Sequence, residues 1–455
     1  MVEKIMHSFQ EASSANVRSV DAKWSAVCLV LLLLAGAEFV VRGPVRAIHS
    51  TTGFNDFLSP YIQAQAWMYG LDPYSPQTLL DLWPAEALQY SFLQIEAANG
   101  TLVAKRGIPT AYPVTALVLV APFGFIHWNI AYAIWLAINL FLFAGMIAAL
   151  GALAGFSYRE PAALLLITAT LALAPFHTGI VTANVSLVAV ELGVIAVWIA
   201  RQRYEVIAAI LVGISAGIKP QIGLCFVLYY LLRRRWRLFG TAVAILIALA
   251  TIGMLRLQVG HTPWLANYLN DNHILLETGV LGNFTSINPT RFGLINLQVA
   301  LYPILNSVRL ANGLASAMSG ILLIIWLVEM VRRQGAEFEL LDLSAIVVIS
   351  LLPIYHRFYD ATLLVFPLCW ALFSFRERKV RNFAIICLLL MVPFLIPGGT
   401  LLETMETSGR IPSVLANQWW WQAFIMSHQV WMLLFLSILL VREMTVFPYS
   451  RQDKI

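Results

Sequence analysis

Runs of roughly 20 apolar residues recur from one end of this chain to the other, each long enough to cross the hydrocarbon core of a bilayer as a helix. In lipid every backbone N–H and C=O must be satisfied within the segment, so such runs are helical. Hydrophobic residues make up 60% of the chain and charged residues 12%, whereas about 25% of a soluble domain is charged. Folding in water would leave wide apolar patches. The expected fold is therefore all-α, a polytopic helical membrane protein with about 11–13 transmembrane helices.

Residues 1–23 are polar and mixed in charge. The first apolar run, Trp24 to Val41, has no small-residue cleavage pattern after it and reads as a retained signal anchor. Residues 1–23 and 442–455 are thus expected to be tails around one membrane domain, 24–441. Further apolar segments fall at 112–127, 129–153, 160–177, 180–200, 205–218, 220–232, 238–256, 309–331, 341–355, 360–375, 382–397 and 419–441, and 292–305 suits an interfacial or re-entrant helix. Three polar loops interrupt them, at 42–110, 257–290 and 398–417. A loop as long as the first is usually functional or folded in its own right. Within it, Phe57 to Tyr69 and Ser75 to Tyr90 are expected to form short amphipathic helices at the membrane interface. No internal repeat is evident.

The net charge of +5 is carried by short basic runs between apolar spans, which is the positive-inside pattern and not a nucleic-acid-binding surface. Arg201 with Arg203, Arg233 to Arg237, Arg332-Arg333, Arg376 to Arg381 and Arg442 are expected on the cytoplasmic side, and the three polar loops outside. External loops at both ends of 112–256 require an even number of crossings between them, yet seven apolar segments lie there. One of them must be broken or re-entrant, or 112–153 must form one long crossing. The pair 205–218 and 220–232 is expected to be a kinked hairpin with Lys219 at its tip. Cys28, Cys225, Cys369 and Cys387 all lie within apolar spans, as small buried hydrophobes and not as a disulfide framework. The histidines are scattered, and neither a metal site nor a cofactor is expected.

Few residues suit chemistry. Asp56, just past the outer end of the first span, is either a general base toward a hydroxyl or a helix N-cap or solvated acid. Lys219, among apolar residues, is either functional or snorkels to the interface. Glu191 lies mid-span and must be protonated, paired, with Lys219 as a candidate partner, or facing a polar cavity. Asp271 and His273, with Arg256 and Arg291 at the edges of the second loop, either bind an acceptor or are solvated, as are Glu403 and Glu406 in the third. Trp419-Trp420-Trp421 reads as an aromatic belt.

The order of several motifs resembles glycosyltransferase family 87, a GT-C-type family. In the first loop these are Asp56-Phe57, Tyr61, Ala64, Ala66, Gly70 and Asp72-Pro73-Tyr74. Tyr112-Pro113 with Pro122-Phe123 follow, then Arg201 to Arg203, Lys219-Pro220 and Arg233 to Arg237, then His356-Arg357 and Asp360. The family often carries Gly-Gln-x-Asn at the start of a middle span, where the nearest match here is Ala183-Asn184-Val185-Ser186; Val114 stands for the second proline of Tyr-Pro-Pro. The resemblance implies inverting transfer of a hexose, typically mannose, from a polyprenyl-phosphate-sugar donor to a lipid or glycan acceptor on the external face of a bacterial plasma membrane. It implies Asp56 as the base, His356, Arg357 and Lys219 at the donor phosphate, and Tyr61, Tyr74, Tyr112, Asn184, Glu191 and Asp360 round the substrate cavity. The competing readings are a lipid or solute transporter or flippase, for which Lys219-Pro220 and Glu191 speak, and a non-catalytic component of an envelope glycan assembly.

Overall fold

The computed structural model describes residues 26–49, 55–90, 112–157, 160–277, 282–333 and 338–446. The expected tails, 1–23 and most of 442–455, and residues 91–111 of the first loop lie outside the described residues. What is described is helical, with one isolated bridge between Leu294 and Arg357.

The first helix, α1 (Ala26–His49), runs past Val41 into the expected loop by way of a π turn at Val41–Val45 that accommodates Pro44. The loop then folds as α2 (Leu58–Tyr69) and two short helical turns, Pro76–Asp81 and Ala85–Tyr90, as its amphipathic pattern indicated. Next come α3 (Val114–Phe125) and α4 (Trp128–Leu153). A broken path follows: α5 (Pro161–Ala172) and α6 (Ala174–Val181) meet at 47°, where Pro175 lacks the N–H that would continue the ladder. After α7 (Val185–Arg201), α8 (Glu205–Ile218), α9 (Pro220–Leu232) and α10 (Trp236–Val259), the second loop carries α11 (Trp264–Glu277), and α12 (Leu297–Leu305) falls within the segment 292–305. The chain ends with α13 (Val308–Arg332), α14 (Glu339–Ser350), α15 (Phe358–Ser374), α16 (Arg381–Thr407) and α17 (His428–Val446). Residues 398–417 are thus largely helical, not a loop.

Among the described residues, six helices are individually long and apolar enough to span a membrane, namely α1, α4, α10, α13, α16 and α17, and α5 with α6 adds one more if the bent pair is a single span. The protein is an all-α polytopic integral membrane protein. The larger number of crossings expected from apolar runs reflects helices such as α3, α8, α9 and α15, which are apolar but short.

Ion pairs sort the helix ends into two groups. At a basic end, Arg201 pairs with Glu339 at 3.0 Å, Arg233 with Asp342, Arg235 with Glu205 at 3.4 Å, and Arg376 with Glu160. At the opposite end, Asp56 N–H donates to Thr182 O at 2.6 Å and Ile295 N–H to His356 O at 3.0 Å. This sorting resolves the parity of crossings. Both ends of α3 lie at the Asp56 end, since Tyr74 Oη donates to Tyr112 O at 2.8 Å and Tyr61 Oη to Ile126 O at 2.9 Å. The helix therefore leaves where it enters. The remaining passes, α4, α5 with α6, α7, α8, α9 and α10, are even in number and return the chain to the same end.

The hairpin of α8 and α9 turns at Lys219 as expected. Its helices approach so closely that a Cβ on Gly223 would sit 2.2 Å from Ala216 Cα, so only glycine closes this turn. Glu191, on α7, is fully buried and neither carboxylate oxygen has a hydrogen-bond partner. It does not pair with Lys219, whose ammonium is held elsewhere. A lone buried carboxyl costs stability whatever its protonation, by about 1–3 kcal/mol for an unsatisfied polar group. Glu191→Met is therefore expected to raise the unfolding temperature in detergent and leave turnover unchanged.

Candidate active site

Asp56 is positioned by its neighbours on both sides. Asn55 Oδ1 accepts from the N–H groups of Phe57 and Leu58 at 3.1 and 3.2 Å, so Asn55, not Asp56, caps α2. Phe57 is fully buried and stacks on Trp135 with ring centroids 4.5 Å apart. These two contacts pin the backbone and leave the Asp56 carboxylate to turn inward. There Asn184 Nδ2 donates to Asp56 Oδ2 at 2.7 Å. Asn184 caps α7 through its Oδ1, which accepts from Ser186 N at 2.8 Å. The turn ahead of it places Ala183 at φ +52°, a left-handed conformation strained for a residue with a Cβ. Trp135 Nε1 holds that turn by donating to Ala183 O at 3.0 Å.

A cavity of about 950 Å³ opens beside this carboxylate. Its lining includes Asp56, Tyr112, Lys219, Tyr355, Arg357 and Tyr359. The lining also includes Tyr268 and Asn272 of α11, Asn283 and Thr285 of the following loop, and Asn296 and Gln298 at the start of α12. Leu276, Ile287, Val308 and Ile354 line the cavity and are also exposed, so its mouth has an apolar rim. Arg357 Nη2 donates to Thr290 Oγ1 at 3.4 Å. Lys219 Nζ donates to Asp360 Oδ1 at 2.7 Å and to Ser186 Oγ at 2.5 Å, and lies 5.1 Å from the centre of the Tyr359 ring.

Burial raises the Asp56 carboxyl above its ordinary range, and the Asn184 hydrogen bond and then the charges of Arg357 and Lys219 offset this only in part. Burial likewise lifts the Tyr112 phenol well above its usual value and pushes Tyr355 up to about 12. Both phenols keep their protons at neutral pH and can donate to an anion.

Several residues singled out from the sequence take other places. His356 does not line the cavity; it is fully buried, with Nδ1 2.9 Å from Asp360 Oδ2. Asp360 is also fully buried, behind Lys219. Its Oδ2 accepts from the Arg357 N–H at 3.1 Å, so Asp360 grips the backbone of Arg357 and leaves the guanidinium to others. Tyr61 and Tyr74 lie outside the cavity lining and are struts. Tyr61 ties α2 to the end of α3, and Tyr74, beside Tyr268 at 5.0 Å, ties the loop to Tyr112. Glu191 does not line the cavity. Arg256 Nη2 donates to Met68 O at 2.5 Å, and the Arg291 guanidinium lies 4.5 Å from the centre of the Phe292 ring. On α11 it is Tyr268 and Asn272, not Asp271 and His273, that reach the cavity. These carboxamides and hydroxyls carry no sequence signal of their own, because Asn and Thr are ordinary in polar loops. Only the folding of 257–290 onto the site marks them out.

Among the described residues, no three His, Cys, Asp or Glu side chains gather into a metal-holding group. Comparison with family models gives a match to glycosyltransferase family 87 over residues 110–353, more than half of the 455-residue chain. The chain belongs to glycosyltransferase family 87. No curated protein and no solved structure matches it. Membership of family 87 makes this protein a membrane glycosyltransferase. The family 87 match contains Tyr112, Asn184, Ser186 and Lys219. Asp56 precedes it and Arg357 and Asp360 follow it, yet all of these residues meet at one site.

Proposed function

We propose that this cavity transfers a hexose, by resemblance mannose, from a polyprenyl-phosphate-sugar donor to a hydroxyl of a lipid or glycan acceptor, with inversion. The observation that carries this reading is the placement of Asp56, Lys219 and Arg357 in the lining of one cavity whose mouth is apolar. A lipid-linked substrate needs all of these features: an apolar rim for its chain, a cation for its phosphate and a base near its sugar. Asp56 takes the proton as the acceptor oxygen forms its bond to the anomeric carbon. The bond from that carbon to the phosphate oxygen breaks, and the phosphate leaves with the electron pair. Charge on the leaving group is met by Arg357, with Tyr112 and Tyr355 as neutral donors beside it. A monophosphate carries less charge than a diphosphate, and a guanidinium matches it well.

By the same reading the site faces the outside of a bacterial plasma membrane, because the arginine-rich end is the cytoplasmic one. The hairpin that presents Lys219 has helices of 14 and 13 residues, about 20 Å long each, against a core of about 30 Å. Lys219 is then recessed below the outer surface, where charge pairing is strong.

The test is incubation of the purified protein with labelled polyprenyl-phosphate-mannose and a membrane lipid extract. Label should move to a new product. Movement of intact donor across vesicles with no transfer would instead mark a flippase. Removing Arg357 should act on donor binding. Arg357→Gln is expected to weaken binding of polyprenyl phosphate by about tenfold or more, the effect of losing a charge-assisted contact, as read by titration in detergent. Undiminished binding would remove Arg357 from the phosphate site.

The acid limb of the transfer rate follows from the raised Asp56 value. A base works only when ionised, and the ionised fraction is lost as pH falls through its pKa. With that value raised, kcat/KM should begin to fall at a higher pH than an ordinary aspartate gives. An acid limb in the usual carboxylate range would contradict the burial of Asp56.

A further inference from the structure

A continuous hydrogen-bond chain links Lys219 to Asp56 through residues brought together from distant parts of the sequence. Lys219 Nζ has three N–H donors and no acceptor. Ser186 Oγ, 2.5 Å away, must therefore accept from it. The single hydroxyl hydrogen of Ser186 then goes to Asn184 Oδ1, its close neighbour. Asn184 Oδ1 also receives the Ser186 N–H at 2.8 Å. With its oxygen occupied in this way, the amide can present only Nδ2 to Asp56, which it does at 2.7 Å. The opposite amide orientation would set an oxygen against the carboxylate. Lys219 is fixed in turn by Asp360 at 2.7 Å, whose other oxygen is held by His356 and the Arg357 N–H. Ser186, His356 and Asp360 are fully buried.

We propose that Ser186, Lys219 and Asp360 are positioning residues for Asp56, setting the direction of a hydrogen-bond chain that ends on its carboxylate. Two of the three N–H donors of Lys219 are committed to this chain, and its charge is met by Asp360. Arg357 is thereby left as the cation in the cavity lining for the donor phosphate. The functional importance of the chain rests on the reading of Asp56 as the base, but its existence can be measured without any turnover.

Ser186→Ala separates the chain from simple charge effects. The ionisable side chains round Asp56 are Arg357, Lys219, Tyr112, Tyr355 and Tyr359, and this substitution alters none of them. Its effect on the Asp56 carboxyl is read from the infrared carboxyl band, titrated with pH and isolated by subtracting the Asp56→Asn spectrum. In Ser186→Ala the titration midpoint should move to higher pH, since the Asn184 amide loses one of the two donors that orient it. Ser186→Thr, which keeps the hydroxyl, should restore the original midpoint. With the polyprenyl-phosphate-mannose donor, Ser186→Ala should lower kcat by about tenfold and leave the donor KM within about twofold. If Ser186→Ala does not accumulate as folded protein, Ser186→Cys, a weak donor, should shift the midpoint in the same direction. An unmoved midpoint in these variants overturns the proposal. A shifted midpoint in a protein that transfers no sugar leaves the chain standing and removes the glycosyl-transfer reading.

Discussion

Asp56→Asn should abolish sugar transfer and leave the protein folded. The expected loss is about 10²–10⁴-fold, the usual contribution of a positioned general base. Folding should survive because Asn has the shape of Asp and its Oδ1 can still accept from Asn184, as the carboxylate does at 2.7 Å. The cap of α2 also survives, since it is made by Asn55. Even a small stability gain is expected, because a carboxyl raised by burial is easier to accommodate as a neutral amide. The measurement is transfer of label by the purified variant beside its melting curve. Wild-type turnover in a folded Asp56→Asn protein would dismiss this residue as the base, and with it the proposed mechanism.

Lys219→Met should be the most destabilising of the substitutions considered. Lys219 and Asp360 lie 2.7 Å apart, with side chains 10% and 0% exposed. Removing one member of a buried pair leaves the other uncompensated, at a cost of about 3–5 kcal/mol. Asp360 would keep His356 and the Arg357 N–H as partners, but neither replaces the ammonium. The double variant Lys219→Met with Asp360→Asn has no orphaned charge, and its amide oxygen can still accept from the Arg357 N–H. It should recover most of the lost stability. Denaturant titration of both variants in detergent decides the matter. A single variant as stable as wild type would mean that Asp360 is not ionised against Lys219.

Much of the architecture was legible beforehand. The apolar runs marked the helices, the basic runs sorted their ends, and Lys219-Pro220 marked the tip of a hairpin, because proline is at ease at the first turn of a helix. The break between α5 and α6 was less visible. The expected spans 160–177 and 180–200 meet near residue 178, whereas the bend falls at Leu173 and the reversal at 182–184. A continuously apolar stretch carries no periodicity by which to place either point. The status of 112–127 was also hidden: its residues are apolar, but α3 is short and its ties to Tyr61 and Tyr74 hold both its ends at the Asp56 end.

The candidate site divides along a similar line. Asp56 and Lys219 stood out because charge beside or within apolar sequence is costly wherever it occurs. Glu191 stood out for the same reason and proved to lie outside the cavity lining, since the cost says nothing about the partner. His356 was expected at a phosphate and instead braces Asp360, because residues adjacent in sequence can face opposite sides of a turn.

Composition and local pattern by themselves determined that the chain is a helical membrane protein and which family it resembles. Each of these depends on hydrophobicity or spacing within a few tens of residues. Which side chain serves which was decided only by the tertiary structure. Asn184 reaches Asp56 across 128 positions and Lys219 reaches Asp360 across 141. The physical reason is the short range of the forces involved. A hydrogen bond or a desolvated ion pair acts over about 3 Å, and that proximity arises only when helices pack.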